Sequence, residues 1–161
     1  MRISRQSLHS PQRARTALGL RLPSWQRRGF YGVFGVLLAS GLAWLAAHFF
    51  LRRAGEFGPT IHPFEPWSMK LHGAAAMAAL WWVGSLLQIH VRRALAAQRN
   101  VAAGWSMLGL LAWLTLTGYG LYYLAGEESR PLWSGAHWVA GVVLPLLVWV
   151  HVRTGRKLRS A

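Results

Sequence analysis

The sequence contains no cysteine. That rules out disulfides, thiolate metal sites and iron–sulfur clusters, and leaves any redox chemistry to a cofactor held by other side chains. Acidic residues are nearly as scarce: Glu56, Glu65, Glu127 and Glu128 are the only carboxylate side chains, against 18 lysines and arginines. Charged residues make up 14% of a 161-residue chain that is 53% apolar and holds ten tryptophans. So little charge over so much apolar sequence excludes an ordinary soluble domain and points to an integral membrane protein.

What is present is four apolar runs, from Phe30 to Leu51, Leu71 to Val91, Val101 to Leu124 and Leu132 to Val152. Each is long enough to cross about 30 Å of hydrocarbon at a rise of about 1.5 Å per residue. With short loops between them, the expected fold is an all-α, up-down-up-down four-helix transmembrane bundle. Residues 1–28 read as a basic arm that touches anionic lipid, 29–153 as the membrane domain and 154–161 as a basic tail. Arg27-Arg28 ahead of an apolar run has a faint likeness to a twin-arginine export signal, but the run is too long for a signal peptide and reads as an uncleaved span.

The net charge of +14 invites a nucleic-acid partner, and its distribution argues against one. The arm, the loop with Arg92, Arg93 and Arg99, and the tail with Arg153, Arg156, Lys157 and Arg159 carry the whole excess. In the other two loops the four glutamates are balanced by Arg52, Arg53, Lys70 and Arg130. This is the positive-inside pattern, which puts both termini in the cytoplasm and leaves no soluble domain for nucleic acid.

Five of the seven histidines fall within spans, where an imidazole without a partner is expensive and therefore a functional candidate. His72 and His90 are eighteen positions apart, a whole number of helical turns, so both leave the second span on one face. His137 and His151 repeat the arrangement on the fourth span. His90 precedes Val91-Arg92 and His151 precedes Val152-Arg153, so the two lie at one depth. That predicts facing pairs, His72 with His137 on the outer side and His90 with His151 on the inner side. The pattern is that of axial ligands to two stacked b-type haems.

Small residues beside the ligands, Ala75, Ala76 and Ala79 on one span and Ala140 and Gly141 on the other, suit a flat macrocycle. Along ideal helices the first pair spans about 27 Å and the second about 21 Å, a mismatch left to tilt and to a kink at Pro145. The same mismatch keeps His48, near the outer end of the first span, open as the alternative to His72 opposite His137. His9 and His62 carry no assigned role.

These residues resemble the bacterial four-helix di-haem cytochrome b superfamily, which includes membrane subunits of respiratory formate dehydrogenases and nickel–iron hydrogenases. The likeness lies in SGAHWVAGVVLPLLVWVHVRTGR, in SGLAW of the first span and in LTGYGLYY of the third, and covers about residues 30–157. It implies a multi-pass protein of the bacterial inner membrane that passes electrons between a quinone pool and a periplasmic or membrane redox partner. His137 and His151 match the ligands of the family's fourth helix, and His72 or His90 that of its second. At the inner end of the first span, where those subunits tend to supply a ligand, this chain has Tyr31, and His90 takes the duty. Two other readings are a stand-alone quinone-linked oxidoreductase, with His48, His62 and Glu65 moving protons at the outer haem, and a haem-free scaffold whose histidines only join helices.

Overall fold

The computed structural model describes residues 22–56, 58–98 and 100–160; most of the basic arm, His9 included, lies outside them. The chain is almost wholly helical. Helix α1 (Ser24–Ala46) continues through a π-helical stretch, Ala47–Leu51. Strands β1 (Arg53–Gly55) and β2 (Gly58–Thr60) follow as a short exposed antiparallel hairpin in which Arg53 faces Thr60 and Gly55 faces Gly58. Helix α2 (Phe64–Leu86) passes through a second π-helical stretch, Leu87–Val91, into a last turn, Arg92–Ala96. Helices α3 (Val101–Tyr123) and α4 (Arg130–Ser160) complete the chain.

Several limits differ from the apolar runs. Helix α1 starts at Ser24, inside the segment read as arm, and α4 continues through the segment read as tail. Helix α2 begins at Phe64 rather than Leu71, so Glu65, Ser68 and Lys70 are helical instead of lying in a loop. Pro66 and Pro131 are tolerated because they stand in first turns, where a missing N–H is no loss. The turn before α3 uses two left-handed residues, Gln98 at φ 49° and Asn100 at φ 55°, and asparagine is among the few side chains that adopt this region readily.

Three stretches, Ser24–Leu51, Val101–Tyr123 and Arg130–Lys157, are long and apolar enough to cross a membrane. The stretch from Phe64 to Val91 is as long but is not among them. Large apolar side chains face outward, among them Met77, Trp81, Leu116, Leu132 and Leu146. Small ones fill the helix contacts, with Ala47, Ala75, Ala79 and Ala140 buried beside Leu86 and Leu144. That inversion of the soluble pattern is what packing in lipid demands, where close approach of backbones replaces the hydrophobic effect.

The helices pair as two antiparallel hairpins, α1 with α2 and α3 with α4. In each, a tryptophan ring lies on a glycine. A Cβ on Gly29 would stand 2.2 Å from the Trp82 ring, and one on Gly120 would stand 2.4 Å from the Trp133 ring. The Trp82 indole N–H also donates to the Gln26 carbonyl at 3.2 Å. Backbones come close mainly within hairpins; between them, α1 approaches α4 in a few places. Across from α2 and its π-helical continuation to α4, the His72 ring faces that of His137 and the His90 ring that of His151.

Candidate functional site

The imidazoles of His72 and His137 stand with ring centres 6.1 Å apart, and those of His90 and His151 6.3 Å apart. Their planes cross at 78° and 70°. A direct imidazole–imidazole hydrogen bond would bring the centres to about 5 Å. Two metal–nitrogen bonds of about 2 Å on opposite sides of one metal, with each ring centre about 1 Å behind its nitrogen, put them roughly 6 Å apart. Both separations therefore match a gap one metal atom wide.

The His72–His137 pair is held through its Nδ1 atoms. His72 Nδ1 lies 2.9 Å from the Leu37 carbonyl oxygen, which can only accept, so Nδ1 carries the proton and Nε2 keeps its lone pair. Ser40 Oγ donates to the same carbonyl at 3.0 Å and lies 3.2 Å from His72 Nδ1. On the other hairpin, Thr117 Oγ1 donates to the Trp113 carbonyl at 2.8 Å and accepts from His137 Nδ1 at 2.9 Å. His137 is thus also the Nδ1–H tautomer. A hydrogen bond of this kind behind a ligating histidine fixes its tautomer and raises its basicity.

Each hydroxyl is followed by a glycine that makes room for the ring. A Cβ on Gly41 would be 3.2 Å from His72 Cε1, and one on Gly118 would be 3.3 Å from His137 Cε1. Ser40 and Thr117 are 3% and 2% exposed, among the most buried polar side chains described. Neither is assigned a role by the pattern of histidines. The signal was there, since SGLAW and LTGYG each place a hydroxyl beside a glycine inside an apolar span.

The inner pair is built differently. The side-chain nitrogen of Asn100 donates to the His151 carbonyl at 2.9 Å and stands 3.3 Å from His151 Nδ1. That nitrogen is a donor, so it offers His151 no acceptor. His90 lies on the π-helical stretch, and among the described residues its contact is with the His151 ring.

His48 is turned elsewhere. It stacks on Trp44 at 4.6 Å and hydrogen-bonds Glu65 at 3.4 Å, so His72, not His48, stands beside His137. Glu65 is 4% exposed and receives two bonds from Arg52, at 2.7 and 2.6 Å. Those bonds hold its carboxyl below the usual carboxylate range and raise the Arg52 guanidinium. His62 caps α2 instead of joining this cluster: its Nδ1 accepts from the Phe64 N–H at 3.3 Å. Among the described residues no three histidine, aspartate or glutamate side chains converge on a metal-sized space. A bare ion would want such a set, whereas a porphyrin brings four equatorial nitrogens and asks for two axial ligands.

Comparison with protein-family models, with curated proteins and with solved structures finds no match to this chain.

Proposed function

We propose that the chain is a four-helix transmembrane bundle of the bacterial inner membrane, with both termini cytoplasmic, and a di-haem b-type cytochrome of the superfamily its motifs resemble. His72 and His137 would hold the outer haem, and His90 and His151 the inner one. The observation that carries this reading is the pair of imidazole separations, 6.1 and 6.3 Å, both one metal atom wide. Bound there, haem b supplies a reversible one-electron couple. The protein sets the ligands, fixes the outer tautomers through Leu37, Ser40 and Thr117, and shields the site with apolar spans. The two sites lie one above the other along α2 and α4, a path for electrons from one face of the membrane to the other, between a quinone pool and a redox partner.

A second reading has the chain oxidise quinol by itself at the outer haem. It is favoured by the hydrogen bond from His48 to the buried Glu65 at the outer mouth, a place where a released proton could be taken up. Turnover of a soluble quinol by the purified protein without a partner would select it.

The test of the main reading is purification from haem-replete cells followed by a redox-resolved optical spectrum. Two b haems per chain are expected. His90→Ala and His151→Ala should each remove one and the same haem, and His137→Ala the other. A preparation without a Soret band would leave the haem-free scaffold standing, and loss of different haems in the His90 and His151 variants would overturn the pairing.

A further inference from the structure

The second hairpin supports the two histidines of α4 in opposite ways. Near one end of α3, Thr117 accepts from His137 Nδ1 at 2.9 Å. At the other end, Asn100 turns its side-chain nitrogen to His151, 3.3 Å from Nδ1 and 2.9 Å from the carbonyl oxygen. An amide nitrogen only donates. The edge of His151 that calls for an acceptor therefore meets a donor.

Asn100 occupies the N-cap position of α3, where an asparagine ordinarily accepts from the free N–H groups of its own helix. Its side chain makes no such bond. From a left-handed backbone, φ 55° and ψ 32°, it reaches across to α4 and lies against Gly155, where a Cβ would stand 3.5 Å from Nδ2. The contact with His151 takes the place of the helix cap.

A ligating histidine that binds iron through Nε2 carries its proton on Nδ1, the arrangement that an acceptor behind the ring secures. His72 and His137 have such acceptors. For His151 there are two cases. If Nδ1 keeps its lone pair and receives Asn100, the ring proton sits on Nε2, where iron has to bind. If Nδ1 carries the proton, two donors face each other. In both, ligation works against Asn100.

We infer that Asn100 is a positioning residue that weakens His151 as a ligand, so that the haem between His90 and His151 is held less tightly than the one between His72 and His137. The inference rests on the di-haem reading above. Loading the site moves one ring proton from Nε2 to Nδ1 and releases none. Outer-shell hydrogen bonds are worth about 10–100-fold in metal affinity, so the His90–His151 haem should leave about 10–100 times faster than the other.

The experiment is haem release from the loaded, full-length protein in detergent to excess apomyoglobin, followed optically. Wild type should release in two phases of equal amplitude, about 10–100-fold apart in rate. His137→Ala, which keeps the His90–His151 haem, should show the faster phase alone. Asn100→Gly retains the left-handed turn and removes the donor. It should slow the faster phase by about 2–10-fold, the worth of one neutral hydrogen bond, and lower the midpoint potential of that haem by up to about 60 mV, at about 59 mV per tenfold. Asn100→Asp supplies an acceptor and should slow the phase by about 10–100-fold, whereas Gln98→Asp, the same charge in the same turn, should not.

A single phase from two haems, the slower phase alone in His137→Ala, or equal slowing in Gln98→Asp would each overturn the inference and leave the di-haem reading intact. So would a faster release and an unchanged potential in Asn100→Gly, the result expected if Asn100 only braced α4 through the His151 carbonyl. A preparation with no haem would overturn both.

Discussion

Replacing Thr117 by valine keeps the shape of a side chain that is 2% exposed and removes the oxygen that accepts from His137 Nδ1 at 2.9 Å. The hydroxyl proton is already committed to the Trp113 carbonyl, so the valine removes the acceptor at 2.9 Å and leaves His137 the Leu114 carbonyl alone, which makes the figures for a lost bond upper bounds. An unsatisfied buried donor costs about 1–3 kcal/mol. Judged as an outer-shell partner of a ligand, the same bond is worth about 10–100-fold in affinity, or about 1.4–2.7 kcal/mol. The two routes agree in size because they describe one hydrogen bond.

Two readouts follow. On the proposed di-haem reading, occupancy of the haem between His72 and His137 after purification in the presence of a competing haem acceptor should fall by up to that factor. The midpoint potential of the outer haem should rise, because a less basic imidazole favours the oxidised iron less. At about 59 mV per tenfold for one electron, the ceiling is about 60–120 mV. Thr117→Ser retains the oxygen and should stay close to wild type. Unchanged occupancy and potential in Thr117→Val, or a change confined to the inner haem, would refute the claim that this hydroxyl orients a ligand.

Two further outcomes follow from packing and from the outer ion pair. Gly120→Ala drives a methyl into the Trp133 ring, 2.4 Å from its nearest atom; the second hairpin should lose about 1–3 kcal/mol, read as a lower midpoint of helix unfolding in detergent. Glu65→Gln leaves Arg52 without its counter-charge and should cost about 1.5–3 kcal/mol at neutral pH. The native Glu65 carboxyl sits below the ordinary range, so its stabilisation is complete above about pH 4.3 and drains away as pH falls through the native value. The unfolding midpoints of wild type and Glu65→Gln should therefore converge in acid, and a constant gap down to low pH would contradict the ion-pair account.

Much of this architecture can be read from the chain because membrane spans advertise themselves. The apolar runs ending at Leu51, Val91, Leu124 and Val152 mark where the helices lie, and the arginines after His90 and His151 mark a shared depth. Helix starts are less visible. Hydropathy finds Leu71, whereas α2 starts at Phe64, since Glu65, Ser68 and Lys70 are polar residues that a helix outside the hydrocarbon accepts freely. That shift decides the fate of His48. Once Glu65 is helical and buried, with Arg52 bound to it, His48 is drawn to the carboxylate and His72 alone stands opposite His137.

The π-helical stretches could not be anticipated, because no proline or glycine marks Leu87–Val91. They bear on the unequal spacing of the two histidine pairs. An i→i+5 winding advances less along the axis per residue than an α-helix, so the longer α2 interval closes toward the shorter α4 interval.

The asymmetry of the two sites then follows from where helices begin. Each hairpin uses the same device at its outer end: a hydroxyl and a glycine on its first helix, Ser40-Gly41 or Thr117-Gly118, receive the Nδ1–Cε1 edge of a histidine on its second. At the inner end the device depends on the first helix reaching far enough. Helix α3 is preceded by Asn100, which reaches His151 with a donor; α1 begins at Ser24, and among the described residues His90 meets the His151 ring. Under the proposed di-haem reading, ligands fixed before the cofactor arrives would need little rearrangement when the iron changes charge, which would suit the His72–His137 site to rapid electron transfer. In the His90–His151 pair, His90 stands on a rewound segment and a donor, not an acceptor, faces His151 Nδ1.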